Sequence, residues 1–169
     1  APVPPTPVLP VSVAPDAGTA ADLAPRKVDL IGLSRAELVT EMARMQLPRF
    51  RADQLWHWIY HKGVTDFSAM TTLAKPLRAN LSGYYTIGRL AVSSRQESQD
   101  GTIKWLFRLA DGHEIETVFI PEDDRGTLCI SSQVGCTLNC RFCHTGTQRL
   151  VRNLTAGEIV GQLMAVFDD

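Results

Sequence analysis

Cys136, Cys140 and Cys143 fall inside eight residues, Cys136-Thr137-Leu138-Asn139-Cys140-Arg141-Phe142-Cys143, spaced C-x3-C-x2-C. Thiols packed this densely belong to a disulfide knot, a zinc site or an iron–sulfur cluster. An odd number of cysteines does not close a disulfide framework. Zinc wants four ligands, usually as two pairs set apart along the chain. The neighbouring fourth donor, His144, directly follows Cys143, and adjacent side chains seldom both turn onto one tetrahedral ion. An iron–sulfur cube, normally held by four thiolates, is the better fit. Three thiolates leave one iron open to a substrate or cofactor. The C-x2-C pair lets two sulfurs converge from one tight turn, and the longer spacer lets the third reach another corner. Each sulfur binds as thiolate. Phe142, between two ligands, would shield the cluster from water and tune its potential, or simply pack. A closed zinc or iron site is the competing reading.

Two residues upstream also carry chemistry. Glu116 falls in a predicted strand over 114–120 and shares a face with Val118 and Ile120. A carboxylate on a partly apolar face loses solvation, so its pKa should rise towards the range of a general base. Glu114 lies on the same face and competes for that role, and an ordinary exposed glutamate is the plain alternative. Cys129 lies seven residues before Cys136 on another predicted strand. Taken alone it reads as a small buried residue.

The elements that must position these groups follow from periodicity. Ser34-x-x-Glu37 is a capping box, with Leu38, Met42 and Met45 at helical spacing behind it and Pro48 as a stop. A second helix is expected from about Arg51 to His61, burying Leu55, Trp58 and Ile59, with Gly63 beyond its end. A third covers about Leu73 to Leu81, with Pro76 in its first turn and Gly83 closing it. From about Leu90 the period changes to two. Strands are expected at 90–98, 102–109, 114–120 and 127–134, with Asp100-Gly101 and Asp111-Gly112 as hairpin turns. Thr155-x-x-Glu158 is a second capping box, opening a helix through about Phe167. The order strand, cysteine loop, helix predicts the first βα unit of a barrel, with the site at the C-terminal end of its strand. A full (β/α)8 barrel takes about 250 residues, so the sequence reads as part of a longer enzyme.

The expected organisation is α/β. Residues 1–25 hold seven of the ten prolines and read as a disordered tail. Residues 26–89 form an all-helical accessory domain, 90–126 a β-meander linking it to the core, and 127–169 the start of that core. Net charge is −1, yet between Arg26 and Arg89 there are ten Lys/Arg against five Asp/Glu. From Cys129 to Thr155 there are three arginines and no acid. Basic surfaces of this kind suit phosphate backbones, and scattered solvated charge is the plainer account. Trp56, His57 and His61 are candidates to touch such a partner, against a packing or surface role. No run of eighteen apolar residues predicts a membrane span. Clustered thiols fit a reducing cytosol.

The chain also resembles a known family. C-x3-C-x2-C is the signature of radical S-adenosylmethionine (SAM) enzymes. The surrounding segments, Thr127-Leu-Cys-Ile-Ser-Ser-Gln-Val-Gly-Cys136, Phe142-Cys-His-Thr-Gly-Thr-Gln148 and Arg152-Asn-Leu-Thr-Ala-Gly-Glu158, resemble the RNA adenosine C2-methyltransferases of the RlmN family, from about Leu30 onward. The resemblance implies a [4Fe-4S] cluster on Cys136, Cys140 and Cys143, with SAM chelated at the open iron. It implies that one SAM methylates a cysteine and a second yields a 5′-deoxyadenosyl radical that takes hydrogen from that methyl group. The carbon radical then adds to C2 of adenosine. In this picture Glu116, in its E-T-V-x-I-P context, accepts the C2 proton. Cys129, in L-C-x-S-S, forms a transient disulfide that helps release the RNA. The chain's four cysteines leave none for the methyl carrier, and the downstream Gly-rich SAM-contacting segment is missing as well. Implied partners are 23S rRNA, tRNA and an electron donor such as flavodoxin or ferredoxin, with the full-length protein monomeric and cytoplasmic. A C8-methylating relative, or an RNA-binding module with structural zinc, are the alternatives.

Overall fold

The computed structural model describes residues 27–136 and 149–169. The proline-rich tail and the segment 137–148, with Cys140 and Cys143, lie outside the described residues.

Helix α1 (Arg35–Arg44) starts at the expected capping box: Ser34 accepts from the Glu37 amide while the Glu37 side chain takes the Ser34 amide. Each bond satisfies a donor that a helix start leaves without an intrahelical partner. Helix α2 (Phe50–Trp56) runs on into a wider π-helical turn (His57–His61), and the chain leaves it through Gly63 at φ +65°. Helix α3 (Lys75–Tyr84) carries its proline in the first turn, where no amide bond is lost. It runs past Gly83, the expected stop. Leu38, Met42, Leu55, Ile59, Met70, Leu73 and Leu81 form the core between these helices. Burying each such side chain contributes about 1.5–3 kcal/mol.

This first unit is not all-helical as expected. Strand β1 (Val28–Asp29) pairs in parallel with β2 (Tyr85–Thr86), closing the unit on itself. Asp29 secures the closure, its Oδ1 accepting from the amides of Ile31 and Gly88. Periodicity could not reveal a pair of two-residue strands.

The meander is present. Strands β3 (Ala91–Glu97), β4 (Ile103–Arg108), β5 (Glu114–Pro121) and β6 (Gly126–Cys129) form an antiparallel sheet in sequence order. Gly101 and Gly112 sit at φ +80° and +85° in the two Asp-Gly turns. Asp100 and Asp111 accept from the amides two residues on. One sheet face, with Trp105, Phe107, Ile115 and Thr117, is buried. The other, with Lys104, Leu106, Arg108, Glu114, Glu116, Val118 and Cys129, is the open face.

The fourth expected strand, 127–134, is broken in two. Strand β6 ends at Cys129, and β7 (Gln133–Val134) pairs instead with β8 (Arg152–Asn153), antiparallel. The two elements flanking the cysteine segment thus form a ladder of their own, and the described residues contain no parallel barrel strands. The architecture they establish is a mixed helix-and-sheet one.

Helix α4 (Ala156–Phe167), capped by Thr155 and Glu158 as expected, is wedged between the two cores. Val160 and Met164 pack on the helical core, and Ile159, Ala165 and Val166 on the sheet. The joint with the helical unit is a backbone-to-backbone approach: a Cβ on Gly32 would lie 2.3 Å from Gly157 Cα. Ion pairs Arg89–Asp168 and Arg95–Asp169 tie down the far end of α4.

Candidate active site

The cysteine segment is held at its base. The register Gln133↔Asn153, Val134↔Arg152 is reinforced by the Val151 amide donating to Val134 O at 2.9 Å, and by an isolated bridge between Cys136 and Arg149. The closeness requires Gly135, at φ +76°, since a Cβ there would meet Arg149 O at 2.1 Å. Cys136 and Arg149, on either side of residues 137–148, therefore meet at one point, with β8 between Arg149 and α4. Cys136 stands at that point, half-buried. Cys140 and Cys143 lie outside the described residues. Among the described residues no group of three or more His, Cys, Asp or Glu could hold a metal.

Arg152 locks this base to its surroundings. Its guanidinium makes paired bonds to both carboxylate oxygens of Glu158, each 2.8 Å, and reaches Asp111 in the β4–β5 turn at 2.6 Å. Planar two-point pairing of this kind fixes orientation as well as charge. The Arg152 bond, followed by the His113 amide, lowers the Asp111 pKa from its ordinary 3.8 to about 2. Arg152 likewise holds Glu158 below the usual range.

Glu116 and Cys129 come together on the open sheet face. Val118 pairs directly with Cys129, which makes Glu116 the diagonal neighbour of Cys129. Diagonal cross-strand neighbours sit ~7–8 Å apart, within reach of longer side chains. The loss of solvation expected for Glu116 does not occur. Its side chain is 49% exposed and ion-pairs Lys104 Nζ at 3.3 Å. Cys129, read as buried from sequence, is an exposed thiol. Both expectations failed for one reason: the meander packs α4 on a single face and leaves the other open. Glu114, the competing carboxylate, pairs with Arg108 at 3.2 Å, and hydrogen bonding from Ser93, ahead of Arg108, lowers its pKa.

The helical unit presents its own candidates. Trp56 is packed against the core, with the Tyr60 ring 4.4 Å away and the Arg35 guanidinium 5.1 Å from its ring. His57 and His61 are exposed and stacked at 5.3 Å. Sequence reasoning missed Lys104, Ser131, Arg152 and Gln162. Strand register reveals the partner of Lys104, whereas Ser131 and Arg152 meet theirs, Gln162 and Glu158 with Asp111, only through the tertiary fold. Gln162 left a signal, as a lone amide in the apolar stripe of α4.

Residues 28–87 match the family described as the ribosomal RNA large subunit methyltransferase N-terminal domain. The chain is 64% identical over 144 residues to a protein named dual-specificity RNA methyltransferase RlmN from Rhodospirillum rubrum, covering 85% of this chain and 34% of that one. Similar relatives of the same name are 60% identical in Acidiphilium cryptum, covering 87% of this chain and 38% of that one, and 59% in Gluconobacter oxydans, covering 88% and 37%. The chain thus spans little more than a third of the length of these curated relatives. A crystal structure of a radical SAM methyltransferase from Sphaerobacter thermophilus superposes with a TM-score of 0.73 at 46% identity, covering 82% of this chain and 41% of that one. On this shared sequence and fold the chain is similar, over most of its own length, to a part of the RlmN methyltransferases.

Proposed function

We propose that this chain is the RNA-contacting and cluster-bearing part of a radical SAM methyltransferase that methylates C2 of adenosine in 23S rRNA and tRNA. The observation that carries this reading is the 64% identity to a dual-specificity RNA methyltransferase over 85% of the chain. Cys136, Cys140 and Cys143 would hold a [4Fe-4S] cluster whose open iron binds SAM. The donor set fits: it is all sulfur, its first member is half-buried, and Cys136 bridges to Arg149 on the far side of the segment. When bound, the cluster and SAM supply the one-electron chemistry that polar methylation of the inert C2 carbon lacks.

The chain's own residues do the rest. Glu116 receives the C2 proton on a carboxylate oxygen, with Lys104 orienting the side chain. The Cys129 sulfur, exposed on the same face, attacks the sulfur of the family's methyl-carrying cysteine. The S–S bond forms as that sulfur's bond to the RNA-attached carbon breaks. The electron pair leaves with the carbon, which takes up a proton as the methyl group of the product. All four cysteines here are assigned, so that carrier is not among them. Residues 26–89 serve as the RNA-contacting domain, 90–126 as the meander bearing Glu116, and 127–169 as the entry into a TIM-like barrel. An electron donor of flavodoxin or ferredoxin type and a cytoplasmic setting complete the reading. Among the described residues no helix is long and apolar enough to cross a membrane.

Anaerobic reconstitution with iron and sulfide tests the cluster: brown protein with broad visible absorption is expected. Zinc without labile sulfide would replace this reading with a structural metal site. Mass spectrometry of the base methylated by the full-length protein separates C2 from C8.

A further inference from the structure

Gln162 is fully buried in α4, where an amide is costly unless every polar atom is bonded. Both ends are satisfied. Its Oε1 accepts from the Ser131 amide and from Thr117 Oγ1, each at 2.8 Å. Its Nε2 donates to Ser131 O at 2.8 Å and to Glu158 O at 3.2 Å. Towards Ser131 the side chain acts as a strand would, giving one donor and one acceptor to the N–H and C=O of one residue. Continuing the register Val118↔Cys129 by two residues would set Ser131 opposite Glu116. Instead the Ser131 backbone turns to Gln162, and Ser131 Oγ donates to Glu116 O at 2.8 Å. The amide thus stands in for a neighbouring strand at the point where the ladder stops.

We propose that Gln162 is a positioning residue that peels the chain off the sheet just past Cys129. By capturing Ser131 it ends β6 and sends the backbone into β7 and on to Cys136. It therefore fixes the offset between the Cys129 thiol and the first cluster cysteine. Its value to catalysis rests on the roles proposed above for those two residues, but the peeling itself does not.

The test uses the full chain and hydrogen exchange read by mass spectrometry on peptides spanning 130–135. In Gln162→Leu both bonds to the Ser131 backbone are lost. In Gln162→Glu a protonated acid keeps one donor and one acceptor, whereas the ionised form has no donor for Ser131 O. Full burial raises a carboxyl pKa, by up to ~3–5 units, so the protonated form persists above its ordinary range and the ionised form is reached at higher pH. Other charged groups are accounted for. Glu158, one turn away, is held low by Arg152, and the Glu116 side chain lies on the far face of β5.

Gln162→Glu should exchange like the parent at about pH 5.5 and about tenfold faster than the parent at about pH 9, and Gln162→Leu should be fast at both. The proposal is overturned if Gln162→Leu stays within about twofold of the parent, or if Gln162→Glu shows the same ratio to it at both pH values. Should Gln162→Leu lose protection throughout the sheet, Gln162→Glu decides alone, and fast exchange at both pH values in that variant counts against us. Protein that binds no iron yet shows the pH-dependent exchange would defeat the functional reading and leave this one standing.

Discussion

Replacing Gly32 by alanine measures how the helical unit is seated on α4. Gly32 has φ +88°, and an added Cβ would lie 2.3 Å from Gly157 Cα and 2.3 Å from Gly157 N. Both are backbone atoms of a helix packed on two cores, so no rotamer change relieves the clash. The left-handed conformation alone costs a residue with a Cβ about 1–2 kcal/mol. Overpacking adds about 1–3 kcal/mol, giving a loss of about 2–5 kcal/mol. Gly112 supplies the control, since it has φ +85° and nothing within 4 Å of an added Cβ. Gly112→Ala should therefore lose only about 1–2 kcal/mol. Urea unfolding at unchanged slope reports the difference directly. If the two variants agree within about 0.5 kcal/mol, the joint yields freely and the tight seating argued here is wrong.

Other outcomes follow from the same geometry. Cys136→Ala should abolish iron loading, whereas Cys129→Ala, on the sheet face, should keep full iron and sulfide content; retention of iron by the first variant would remove Cys136 from the ligand set. Asp111, lowered from 3.8 to about 2, contributes stability that is fully present above 3.8 and is lost as pH falls through about 2. Arg152→Met should flatten that acid dependence, and an acid unfolding curve unchanged in shape would show that Arg152 is not its source. Leu55→Ala, at a fully buried position, should cost about 2–5 kcal/mol by the same urea assay.

Local chemistry was legible in the sequence. Ser34 with Glu37 and Thr155 with Glu158 specify helix starts because a cap is a bond between residues three apart. Asp100-Gly101 and Asp111-Gly112 specify hairpins because glycine alone reaches positive φ at no steric cost. Cysteine spacing and the segments around it carried the family. Tertiary structure decided what depends on partners far along the chain. That Glu116 and Cys129 share a face follows from the register Val118↔Cys129, and that this face is open follows from α4 choosing the other. The break at Ser131 answers to Gln162, thirty-one residues away. A strand pattern tells which residues alternate, but which face meets water, and where a ladder ends, is fixed only when another element arrives to compete for the backbone.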